Sequence, residues 1–121
     1  MELTPLVQPG RQVIERYAAS GFRVSGAVYT GPVLVFPDVT LVWAEAALTA
    51  ESLAPIIEHG GVELLLLGLG RRMTPIAAGL RAALKASGVA IEAMDTGAAC
   101  RTYNVLLAED RRVAAALLPP V

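Results

Sequence analysis

The chain is short of the residues on which much protein chemistry is built. It has one cysteine, so no internal disulfide can form, in keeping with a reducing compartment. Its one histidine and one cysteine cannot make a zinc site without carboxylates, and no metal-ligand spacing is present. Aromatic residues are 5% of the chain, and no basic residues interleave with them to form a stacking platform for nucleic acid. Charge of either sign is sparse: ten basic and eleven acidic residues, scattered singly or in pairs, leave a net charge of −1. Without a basic stripe to neutralise phosphates, nucleic-acid binding is excluded as the main task. Unbroken apolar runs stop at six or seven residues, far short of the ~20 a membrane span needs. The opening MELTPLVQPG has neither a positive n-region nor an apolar h-region, and it is not an Arg-rich transit segment. A soluble, cytoplasmic protein without direct membrane insertion is expected.

What is present is aliphatic. Hydrophobic residues make up 55% of the 121 and charged ones 17%, the excess coming from Ala, Leu and Val. Such a chain can build a core, and its length suits one domain burying about two-thirds of its unfolded surface. A single domain over 1–121 is expected, with an irregular lead-in from Met1 to Gly10, where Pro5 and Pro9 limit regular structure.

The pattern changes rhythm halfway. From Gln12 to Trp43, short β-runs alternate with turns at Ser20-Gly21, Gly26, Gly31-Pro32 and Pro37-Asp38. Strands this close in sequence pair antiparallel through hairpins. Thr49 and Ser52 then suggest a helix start, with Leu53, Ile56 and Ile57 as its apolar face and Gly60-Gly61 as its end. Glu63 to Leu67 reads as a strand buried on both faces, broken by Gly68-Leu69-Gly70. Thr74-Pro75 predicts the next helix start, with Ile76, Leu80, Ala83 and Leu84 inward and Ser87-Gly88 at its end. A strand from Val89 to Ala93, a helix after Asp95 and a strand from Arg112 to Leu118 complete the chain. The expected fold is α/β: a three-layer domain with a mixed sheet, antiparallel hairpins first and right-handed parallel β-α-β crossovers after.

The stretch Glu92 to Leu107 carries the most chemistry. Asp95 or Thr96 can cap the helix start, and Ala99, Cys100, Tyr103, Leu106 and Leu107 fall on one helical face. Arg101 and Asn104 lie on another. A cation near a helix N-terminus is badly placed unless an acid such as Asp95 offsets it, or an anion is to be bound there. Cys100 near the dipole could be activated, but a nucleophile needs a base, and nothing puts His59 beside it. His59 itself reads as an exposed residue at a helix C-terminus. Cys100 also lies on the apolar stripe, where packing is the ordinary role of a thiol. Gly68-x-Gly70 between strand and helix invites a dinucleotide reading, yet the third glycine position is Met73 and the spacing fails. The residues left as a candidate ligand site are Gly68, Gly70, Arg71, Asp95, Thr96 and Arg101, around a crevice between the Gly68–Arg72 and Asp95–Arg101 loops. No catalytic residue, metal or cofactor is expected.

Four stretches together, GFRVSGAVYTGPVLVFP from Gly21, LTAESL from Leu48, ELLLLGLG from Glu63 and MDTGAACRTYNVLLAEDRRVAAALLP from Met94, resemble a family of small domains of unknown function. That family includes the mitochondrial complex I assembly factor 3 and many short bacterial proteins. The resemblance implies a three-layer α/β fold, and a non-catalytic protein-binding or assembly module whose partners belong to a membrane respiratory complex. Association of like chains stays open. The chain departs from the family pattern at Ala18-Ala19-Ser20, where glycines are common, and at Leu69, where a small polar residue is common. The alternative reading is a small-ligand or anion-binding protein, an enzyme included, using the crevice.

Overall fold

Eight strands and three helices follow one another in the computed structural model, which describes residues 10–121. Of the Met1–Gly10 lead-in, only Gly10 lies among the described residues. Strands β1 (Ile14–Ala18), β2 (Gly21–Val24) and β3 (Ala27–Thr30) form an antiparallel sheet in that order. Strands β4 (Val33–Val35), β5 (Thr40–Val42), β6 (Leu64–Leu69), β7 (Ala90–Met94) and β8 (Val113–Leu118) form a second, mixed sheet ordered β5-β4-β8-β6-β7. Within it β8, β6 and β7 are parallel, while β4 runs antiparallel to both β5 and β8. The N-terminal strands are thus divided between two sheets. The expected hairpin at Gly31-Pro32 is absent, because Gly31 (φ +83°) and the ring-restricted Pro32 redirect the chain into the second sheet.

The five-stranded sheet separates two cores, and period-two alternation assigns each residue to one. On one face Leu34 and Phe36, Leu65, Leu67 and Leu69, Ile91, Ala114 and Ala116 pack under α1 (Ala54–His59) and α2 (Ala78–Ala86). On the other, Val33 and Val35, Leu66, Val113, Ala115 and Leu117 meet α3 (Thr96–Ala108) and the small sheet. The handedness rule explains the layering. A right-handed crossover from β6 to β7 puts α2 on one face, and the return from β7 across β6 to β8 puts α3 on the other.

Four local expectations give way to tertiary packing. The strand does not break at Gly68-Leu69; it continues through Leu69. Gly68 is a packing glycine: a Cβ there would meet Leu117 Cδ2 at 2.8 Å, Ala99 Cβ at 3.2 Å and the Thr96 Cα at 3.2 Å. Helix α2 starts at Ala78 rather than Thr74-Pro75, capped by no side chain, because burial of Leu80 and Leu84 sets where it must run. Ala83 is exposed beside that narrow stripe. Helix α1 starts at Ala54, since the Ser52 hydroxyl is taken up in a turn: it donates to the Glu45 carbonyl and accepts from Trp43 Nε1 at 2.7 Å.

Helix α3 docks the small sheet. The Asn104 side chain pairs with both backbone groups of Ile14, accepting its N–H at 3.0 Å and donating to its carbonyl at 2.8 Å. Tyr103 is buried and donates to the Gln12 carbonyl at 3.0 Å.

On the opposite core layer His59 closes α1. Its ring stacks on buried Phe36 with centroids 4.1 Å apart. Nδ1 faces the Gly60 carbonyl at 2.9 Å and Nε2 faces an Asp38 carboxylate oxygen at 2.7 Å. Two acceptors facing two ring nitrogens favour the doubly protonated ring. Burial opposes that charge, but the Gly60 and Asp38 oxygens outweigh it, raising the pKa above the ordinary 6.5. The hydrogen bond to His59 likewise lowers Asp38 below 3.8. The stabilisation from His59 is therefore complete below about pH 6.5 and lost as pH climbs through the raised value. That from Asp38 is complete above about pH 4 and lost as pH falls through its lowered value. An NMR titration of the His59 ring is expected to give a pKa above 6.5 that drops in Asp38→Asn. A wild-type value at or below 6.5 contradicts the pairing.

Candidate functional site

Parallel strands β8, β6 and β7 end at the same rim, and the loops leaving neighbouring β6 and β7 turn to opposite faces. Open α/β sheets hold ligands at such a gap. An open crevice of about 480 Å³ lies there, lined by Arg71 after β6, by Asp95, Gly97 and Arg101 after β7, and by Pro120 after β8. The end of β1 and the turn after it overhang the crevice with Tyr17, Ala18 and Ala19.

The floor is built around Thr96, whose side chain is fully buried. Its hydroxyl accepts the Gly70 N–H at 2.8 Å and donates to the Leu118 carbonyl. Its own N–H donates to the Gly70 carbonyl at 2.9 Å. One residue so ties together the ends of all three parallel strands. Gly70 can take part because it adopts φ +75°, a conformation that suits glycine. Asp95, extended at ψ 157°, is the helix cap: its carboxylate accepts the Ala98 N–H at 2.9 Å.

Arg71, Asp95 and Arg101 of the expected ligand set line the crevice. Gly70 and Thr96 are buried beneath it, and Gly68 lies a step lower under α3. Sequence reasoning missed Tyr17 and Gly97. The Tyr17 hydroxyl lies against the bare backbone of Gly97, where a Cβ would stand 2.7 Å from it. A glycine in the first turn of a well-capped helix was the available signal, since it costs helix stability unless something approaches closely.

Arg101 is not paired with Asp95. Six residues along a helix amount to about 240° of rotation, and the Asp95 carboxylate is engaged in capping. Among the described residues no carboxylate lies within ion-pair distance of Arg101. Its Nη1 makes a long 3.4 Å contact to the Tyr17 hydroxyl. The cation thus sits at the positive end of α3. Cys100, one residue earlier, faces the core instead: burial pushes its thiol up to about 12 despite the pull of Arg101. His59 packs on the other face of the central sheet and cannot serve it as a base. No helix among the described residues is long and apolar enough to cross a membrane.

This arrangement defines a class: a small three-layer α/β domain with a crevice at the carboxyl ends of its parallel strands. The chain belongs to the protein family of unknown function DUF498/DUF598, whose model matches residues 14–118. It is 41% identical over 114 residues to an uncharacterised protein of Rhodobacter capsulatus, covering 91% of this chain and 86% of that one. To the NADH dehydrogenase (ubiquinone) 1 alpha subcomplex assembly factor 3 of Danio rerio it is 38% identical over 112 residues. That match covers 89% of this chain and 64% of the zebrafish protein. Among solved structures, an outer membrane protein from Bartonella henselae superimposes with a TM-score of 0.83 at 35% identity, covering 92% of this chain and 97% of that one.

The Thr96 hydroxyl is expected to be worth about 2–4 kcal/mol, because Thr96→Val keeps the shape but orphans a buried N–H and a carbonyl. Thr96→Ser should retain most of that stability. Chemical denaturation of the three proteins checks this, and a Val variant within about 0.5 kcal/mol of wild type refutes it.

Proposed function

We propose that the chain is a non-catalytic protein-binding module that acts in assembling a respiratory NADH dehydrogenase. The observation that carries the reading is its relation, across most of its length, to proteins named as assembly factor 3 of that complex. The chemistry of the crevice fits it. The thiol beside the crevice is buried and raised, and the histidine lies on the other side of the sheet. What lines the crevice is suited to recognition: two guanidinium groups, a phenol, a capping carboxylate and small side chains.

The test is made in the native host. Tagged protein, cross-linked and captured, is expected to enrich subunits of the NADH dehydrogenase, and deletion of the gene should lower the amount of assembled complex. Normal assembly after deletion, with no dehydrogenase subunit enriched, would rule this reading out.

Arg101 carries a second reading, in which the crevice takes an anionic group. A guanidinium with no carboxylate partner among the described residues, sharing a crevice with Arg71, can hold a phosphate or carboxylate. Phosphate is then expected to raise the melting temperature of wild type but not of Arg101→Ala, with the two alike in its absence. Equal phosphate shifts in both proteins would refute it.

A further inference from the structure

We propose that the outer edge of β5 and the groove beside it dock an extended segment of a partner protein, one with alternating apolar side chains and basic residues. The inference rests on the partner-binding reading above and names its surface.

The backbone pattern of β5 sets the geometry. Trp43 N–H donates to the Pro32 carbonyl and Phe36 N–H to that of Val39, so on this antiparallel ladder residues 39, 41 and 43 of the strand side face β4. Thr40 and Val42 therefore point their N–H and carbonyl groups outward. Among the described residues nothing pairs with those groups. Free edges are ordinarily blunted by lysine, proline or a bulge. At three residues β5 is short, which limits open-ended pairing, but it carries no lysine, proline or bulge, and Val42 leaves 60% of its surface exposed and Leu41 41%. The opposite edge strand, β7, carries the exposed charge of Glu92.

Beside this edge lies a groove of about 600 Å³, larger than the crevice. Leu34, Leu41, Val42, Trp43 and Pro55 give it an apolar floor, and Glu45 and Glu51 stand at it as its charged residues. Neither glutamate is in an ion pair among the described residues, and no Lys or Arg lines the groove. A strand added to β5 would gain main-chain hydrogen bonds from Thr40 and Val42, with alternate side chains entering the groove. Two unneutralised carboxylates select a basic partner. They also disfavour a second copy, which brings the same two carboxylates and no Lys or Arg in its own groove to offset them.

The probe is a random dodecapeptide display library selected on the immobilised full chain, with enriched peptides synthesised and titrated. Enriched sequences should alternate apolar residues and carry Lys or Arg, and the Thr40 and Val42 amides should gain exchange protection on binding. Binding should weaken about tenfold in Glu45→Lys/Glu51→Lys, with a similar loss in Val42→Asp. All three positions are partly or fully exposed, and thermal melts confirm folding. Enrichment of acidic or helical peptides, peptides mapping elsewhere, no enrichment, or self-association abolished by Val42→Asp would each overturn the proposal. If Val42→Asp still captures dehydrogenase subunits as well as wild type, the assembly reading stands and this surface falls.

Discussion

The three hydrogen bonds of Thr96 are the constraint on which the rest of the domain depends. Strands β6, β7 and β8 come from three separate parts of the chain, and nothing local brings their ends level. Thr96 does so from within, its hydroxyl bridging the end of β6 to the end of β8 while its amide returns to Gly70. The bridge needs Gly70 in its left-handed conformation and needs α3 close to the sheet. Closeness in turn requires Gly68 to have no side chain. Two glycines that look like turn formers are thus one conformational and one steric requirement of the same junction.

Once α3 is held at that depth, it positions the second sheet. Asn104 takes the place of a neighbouring strand for Ile14, satisfying both backbone groups of that residue just before the irregularity in the β1–β2 register. Buried Tyr103 anchors Gln12 next to it. Leaving such buried polar groups unpaired would cost more than the bonds gain in net terms, so the contact specifies orientation as well as adding stability. The overhang of the β1–β2 turn above the strand ends follows from this docking. Tyr17 reaches the crevice because Gly97 leaves room for its hydroxyl.

Two surfaces therefore differ in kind. The crevice is polar, and it is made where separate segments converge on the α3 side of the sheet. The β5 groove lies on the side of α1, apolar at its floor and acidic at its charged residues, beside a backbone edge with no partner among the described residues. Their chemistries are unlike: charged groups dominate the first, whereas apolar side chains and backbone groups dominate the second.

Much of this domain was legible in the order of its residues. The family, the mixed α/β class and the antiparallel-then-parallel rhythm were all readable. So were a helix cap at Asp95 or Thr96, of which the structure uses Asp95, and the stripe of Ala99, Cys100, Tyr103 and Leu107, with Leu106 only partly buried. These depend on short-range periodicity and capping chemistry, which neighbouring residues settle among themselves. Misread were the role of Gly68, the start of α2, the division of the N-terminal strands between two sheets and the partner of Arg101. Each of those depends on what arrives from far along the chain: Leu117 and Ala99 against Gly68, the core beneath α1 and α2 against Leu80 and Leu84, Asn104 against Ile14, Tyr17 against Arg101. Periodicity records which face of an element is apolar. It does not record how near another element comes, and that distance, set by the packing of the whole, decided whether a glycine turned the chain or made room for a helix.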